Sequence, residues 1–115
     1  MSAILHFDDH GLSAARAERK GLIMVDFYAT WCGPCRSLAP NLDALAEETG
    51  DRLAVIKVDI DPAPAAALAF GVRSVPTLVL LDEGRIRDVR SGLQSLSQLR
   101  AWVAILASPA SSARA

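Results

Sequence analysis

Ile23-Met24-Val25-Asp26-Phe27-Tyr28-Ala29-Thr30-Trp31-Cys32-Gly33-Pro34-Cys35 is the stretch that decides the fold, and it holds both cysteines of the chain. The apolar run Ile23 to Ala29 reads as a buried strand, and the cysteines fall where that strand gives way to a helix. Pro34 suits the first helical position, because an N–H there would lack an intrahelical partner anyway. Thiols at i and i+3 of a first helical turn lie roughly 5–6 Å apart at Cβ, so modest rotation closes or opens a bond between them without refolding. Backbone donors at the helix start face the Cys32 sulfur. A helix terminus is worth roughly 0.3–1 kcal/mol to a charge, up to about 2 when partly buried, which is on the order of one pKa unit for a thiol. Cys32 is therefore the expected nucleophile, and Cys35, one turn inside, the expected resolving thiol.

Outward from this stretch, short apolar runs alternate with helical patterns, which predicts an α/β sheet built partly from crossover units. Ile4 to Phe7 reads as a short strand, and Leu12 to Lys20 as a modest helix closed by Gly21. The clearest helix runs from Pro34 to Thr49, with Leu38, Leu42, Leu45, Ala46 and Thr49 on one stripe, Gly50 at its end and a bend expected at Pro40. Leu53 to Ile60 is a second central strand. Asp61 is expected to cap a short helix with Pro62 in its first turn and Gly71 at its end. Thr77 to Leu81 is a buried strand, Asp82-Glu83-Gly84 a turn, and Arg85 to Ser91 a charged edge strand. Ser95 and Gln98 form a capping box for a last helix that buries Leu96, Leu99, Trp102, Val103 and Leu106. One domain over residues 1–107 is expected, with a small, polar, disordered tail over 108–115.

The chain has 115 residues, 51% of them apolar and 22% charged, which fits one globular domain with a real core. A formal net charge of −1 supplies no basic field for nucleic acid or anionic lipid, so neither is expected as a partner. Met1 to Asp9 carries two acids and lacks the basic and long apolar regions of a signal peptide, which points to the cytoplasm. A reducing compartment disfavours a permanent structural disulfide, and this small ring would cross-link nothing distant. The other rival for the cysteine pair is half of a zinc site completed by His6 and His10. Their order is reversed relative to the common finger, and the helix start leaves Cys35 pointing inward. No metal is expected.

Asp26 is anomalous inside an apolar strand, since a buried ionised carboxylate costs several kcal/mol unless paired. Two readings stay open: a buried acid of raised pKa that exchanges a proton with Cys35, or a polar residue reaching solvent from a less covered face. Lys57 repeats the anomaly on the other central strand, as a partner of Asp26 or as a snorkelling lysine at a sheet end. Pro76 either simply begins a strand or leaves backbone groups of Val75 free to pair with an extended substrate. Gly92 is either a strand-end turn or a place where a substrate backbone comes close.

Taken together, Val25 to Cys35, Ala39-Pro40, Lys57-Val58-Asp59, Gly71-Val72-Arg73-Ser74-Val75-Pro76-Thr77 and Gly84 with Gly92 closely resemble the thioredoxin family. The resemblance runs from about Ile4 to Leu106. It implies a five-stranded mixed sheet flanked by four helices, a cis bond before Pro76 and a flat apolar docking rim. By carry-over, Cys32 attacks, Cys35 resolves, Asp26 and Lys57 tune proton transfer, and Trp31, Gly33, Pro34, Val75, Pro76 and Gly92 contact substrate. It further implies a monomeric protein-disulfide reductase and electron carrier that binds no cofactor and cycles a Cys32–Cys35 disulfide. Its reducing equivalents would come from NADPH through a flavin reductase. Three positions depart from the family pattern: Tyr28 stands for a usual tryptophan, Ser91 for a common apolar residue beside Gly92, and Leu81 for a frequent aromatic. The Gly33-Pro34 pair resembles the reducing members. The competing expectation is a redox-independent binding module using the same rim, and a third is an oxidoreductase for one extracytoplasmic client.

Overall fold

The computed structural model describes residues 4–107, so the reading of 108–115 as a disordered tail lies outside the described residues. Five strands form one sheet in the order β1-β3-β2-β4-β5. They are β1 (Ile4–His6), β2 (Leu22–Tyr28), β3 (Leu53–Asp59), β4 (Thr77–Asp82) and β5 (Arg85–Ser91), with helices α1 (Asp9–Glu18), α2 (Gly33–Thr49), α3 (Pro64–Ala69) and α4 (Leu96–Leu106). The strands β1, β3 and β2 are mutually parallel, and β4 and β5 add in antiparallel fashion. This is the five-stranded mixed sheet with four helices that the resemblance implies.

The near-continuous apolar runs of β2 and β3 follow from burial on both faces. Met24, Val55, Leu78 and Leu80 meet Leu38, Leu42 and Leu45 of α2 and Leu99 and Trp102 of α4 on one side. Val25, Phe27, Ile56, Val58 and Val79 meet Leu12 and Ala15 of α1 and Ala66 of α3 on the other. The stripe predicted on α2 is the stripe that packs, and the helix continues through Pro40 to a cap at Gly50. The capping box is present in full: Gln98 N–H donates to Ser95 Oγ at 3.1 Å, and Ser95 N–H donates to Gln98 Oε1 at 2.8 Å.

Two helices differ from expectation at their boundaries. α1 begins three residues earlier, at Asp9, because Asp8 caps it by accepting from Gly11 N–H at 2.8 Å, and it ends at Glu18 with Arg19 extended. Gly21 therefore serves the turn into β2 rather than the helix end. Asp61 does not cap α3. That helix starts at Pro64, and its free Ala66 N–H is taken by Asp9 Oδ1 of α1 at 2.7 Å. A short helix packed beside a longer one borrowed its cap through space. The β4–β5 turn places Glu83 and Gly84 at positive φ, and a side chain at Gly84 would come 2.9 Å from the Arg16 carbonyl.

Candidate active site

The end of β2 and the start of α2 meet at Cys32, which is the N-cap residue of the helix. Its sulfur accepts from the Cys35 backbone N–H at 3.1 Å, so a donor orphaned at the helix start is aimed at it. Cys32 and Cys35 form a disulfide, with their Cα atoms 5.2 Å apart. Both sulfurs sit in a small apolar cluster with Ala29, against Tyr28, Ile60 and Val75. Gly33 and Pro34 between them are exposed, as is Trp31, which is 66% accessible. The Trp31 indole is nonetheless held: Nε1 donates to Asp61 Oδ2 at 3.1 Å. Arg36 Nη1 donates to the Thr30 carbonyl at 2.9 Å and closes the loop from below.

A second loop faces the pair. The Val75-Pro76 peptide is cis, Pro76 is buried, and the Val75 carbonyl oxygen lies 3.7 Å from Cys32 Sγ. Gly92, at φ +87°, follows β5 and donates its N–H to the Pro76 carbonyl at 2.9 Å. An L side chain would resist that φ although nothing crowds the position, so Gly92 is required for conformation rather than for space. Trp31, Gly33, Pro34, Val75, Pro76 and Gly92 are thus gathered at one end of the sheet, around the disulfide.

Asp26 and Lys57 are register partners on the adjacent parallel strands β2 and β3. Asp26 is fully buried, which removes the reading in which it reaches solvent. Neither carboxylate oxygen has a hydrogen-bond partner, and the Lys57 ammonium stands 4.0 Å from Oδ2. Burial raises the Asp26 pKa to about 6, with Lys57 pulling it the other way. Lys57 does not snorkel freely, because its ammonium lies 4.5 Å above the centre of the Tyr28 ring. Burial, then the charges of Asp59 and Asp26, push the Tyr28 phenol above its ordinary pKa, so the ring stays neutral near pH 7. A cleft of about 250 Å³ runs between Tyr28, Cys35, Ala39 and Lys57, with space for several waters.

His6 and His10 lie at the end of β1 and in the first turn of α1. Among the described residues, no group of three or more His, Cys, Asp or Glu is placed to hold a metal ion, and no helix is long and apolar enough to cross a membrane. Sequence reasoning missed two contacts, Asp61 on Trp31 and Tyr28 on Lys57. Asp61 was absorbed by a plausible helix-cap reading. Tyr28 carried a visible signal, since it lies two residues from Asp26 and so shares its face of the strand.

A dithiol pair closed at a helix start, on a mixed sheet whose opposite loop presents a cis proline, defines a thiol–disulfide oxidoreductase. The thioredoxin family model matches residues 5–105. The chain is 38% identical to the thioredoxin of Bacillus subtilis over 101 residues, 88% of this chain and 95% of that one. It is 36% identical to the thioredoxin of Haemophilus influenzae over 103 residues, 90% and 96% of the two chains. With the thioredoxin of Rickettsia prowazekii it shares 41% identity over 81 residues, 70% and 77% of the two. The chain belongs to the thioredoxin family. Its chemistry is dithiol–disulfide exchange at Cys32 and Cys35.

Proposed function

We propose that the protein is a general protein-disulfide reductase and electron carrier. The Cys32 thiolate attacks one sulfur of a client disulfide, forming a mixed disulfide and releasing a client thiolate. Cys35, deprotonated in turn, attacks Cys32 Sγ, releases the second client thiolate and closes the Cys32–Cys35 disulfide, so two electrons pass to the client. The observation that carries this assignment is the Cys35 N–H aimed at the Cys32 sulfur, which stabilises charge on Cys32 and on no other thiol. Asp26 is the base that relieves Cys35 of its proton, with Lys57 beside it, through water in the cleft that Cys35 and Lys57 line. Val75, with Pro76 and Gly92 shaping its loop, supplies backbone groups to an extended client, and Trp31, Gly33 and Pro34 form the rim it lies on. Membership of the family supports re-reduction by NADPH through a flavin reductase and action as a monomer in the cytoplasm.

Trapping tests the assignment of the two thiols. Cys32→Ser should abolish reduction of a protein disulfide. Cys35→Ser should accumulate a mixed disulfide with the client, detected as added mass that reductant removes. Equal trapping by both variants would reverse or void the roles.

A further inference from the structure

The Lys57 ammonium sits on a long flexible stem, and no hydrogen bond ties it to Asp26 across the 4.0 Å between them. What fixes its position is the face of Tyr28. Asp26 and Tyr28 are two residues apart on β2, hence on one face, and Lys57 on β3 is the register partner of Asp26. The ammonium therefore lies within reach of both, 4.0 Å from the carboxylate and 4.5 Å from the ring centre. A cation over an aromatic face is attracted most strongly where water is scarce, and the Lys57 side chain is only 14% exposed. Tyr28 and Lys57 also border the cleft that leads to Cys35, whereas Asp26 is fully buried and does not line it.

We propose that Tyr28 is a positioning residue for the proton transfer: its ring holds the Lys57 ammonium beside Asp26, at the cleft that Lys57 and Cys35 both line. Without the ring, the lysine would swing out to solvent and leave the carboxylate unpaired. This rests on the reading of Asp26 as the base for Cys35. The chemistry asks for a ring face at position 28 and makes no use of the phenol hydroxyl.

Other groups surround the pair. Asp59 follows Lys57 on the same face of β3, His6 of β1 is the register partner of Lys57, Arg36 and Cys35 of α2 border the cleft, and β4 offers only Leu78 opposite Asp26. The readout must therefore belong to Asp26 alone. The carbon-13 signal of its carboxyl, assigned by its loss in Asp26→Asn, meets that need when followed against pH in the reduced protein.

Tyr28→Leu should move the Asp26 midpoint upward by about half a pH unit or more, toward the value in Lys57→Met, because a lost cation disfavours the carboxylate. Added to Lys57→Met, the same substitution should move it no further upward. Tyr28→Phe and Tyr28→Trp should keep the original midpoint. The inflection in the rate of protein-disulfide reduction should follow the same order. A midpoint that stays or falls in Tyr28→Leu overturns the proposal, since merely admitting water would favour the carboxylate and lower it. One measurement needs no truncation: in the unsubstituted protein, the Lys57 ε-methylene protons should show the upfield shift of groups above a ring, and its absence would also overturn the proposal. Failure of the underlying reading looks different. If Asp26→Asn exchanges disulfides as fast as the unsubstituted protein at every pH, Asp26 is not the base, and Tyr28 loses its part in the reaction even where it holds Lys57.

Discussion

Asp26 sets a cost on the fold that can be measured without any activity assay. Its pKa is raised to about 6 in the folded chain, first by burial. A raised acid pKa means that folding favours the protonated form. The associated stability is fully present below the unfolded value near 3.8 and is lost as pH rises through about 6. Roughly two pKa units correspond to about 3 kcal/mol between the two limits. Asp26→Asn, which is neutral at every pH, should therefore raise stability by on the order of 1–3 kcal/mol at pH 8 and change it little at pH 4. Urea unfolding of both proteins across that range checks this, and a gain of equal size at pH 4 would show that packing, not charge, is responsible. Residues of this kind were legible in the sequence because a charge inside an apolar run is a local contradiction. The Cys32–Cys35 pair was legible for the same reason of proximity. Asp61 was not, because its partner Trp31 lies 30 positions away and is reached only after the sheet has formed.

At the scale of elements, legibility followed where the caps come from. α2 and α4 carry their stop and start signals within themselves, Gly50 in one case and the Ser95 and Gln98 box in the other, and both lay where expected. α3 has no side-chain cap of its own, and its neighbour supplies one through Asp9. A reading along the chain assigns that role to the nearest acid, Asp61, which the fold instead turns toward Trp31. The two acids make a direct comparison. Losing a capping carboxylate costs about 1 kcal/mol in a typical helix, so Asp9→Ala should lower unfolding free energy by about that much, while Asp9→Asn keeps most of it. Asp61→Ala should leave the stability of α3 untouched and loosen only the Trp31 indole. Denaturant unfolding, with amide exchange across Ala65 to Phe70, separates the cases. Protection lost in Asp61→Ala but kept in Asp9→Ala would restore the local cap.

For the whole molecule, folding and redox chemistry are linked by a thermodynamic cycle. Whichever of the oxidised and reduced forms folds more stably is the form that folding favours at the active site. A protein that gives electrons away must be more stable with the Cys32–Cys35 bond closed than open. An oxidant must be more stable reduced. Two features act in the first direction here. Closing a loop as short as Cys32 to Cys35 removes some freedom from the unfolded chain, worth about 2 kcal/mol by the chain-entropy estimate. Opening it in the fold places two thiols in a pocket of Ala29, Ile60 and Val75, whose apolar lining resists a negative charge. Against these stands the Cys35 N–H on the Cys32 sulfur, which favours a thiolate by about 1 kcal/mol, up to about 2 where partly buried. The first two together outweigh the third. Urea midpoints measured with and without a reducing agent should therefore be higher for the oxidised protein, by an amount equivalent to about 1–2 kcal/mol at neutral pH, with an unchanged slope because the surface exposed on unfolding is nearly the same. A reduced form more stable than the oxidised one would mean that folding drives the disulfide open. The same fold and the same two cysteines would then belong to a protein that takes electrons from its clients rather than supplying them.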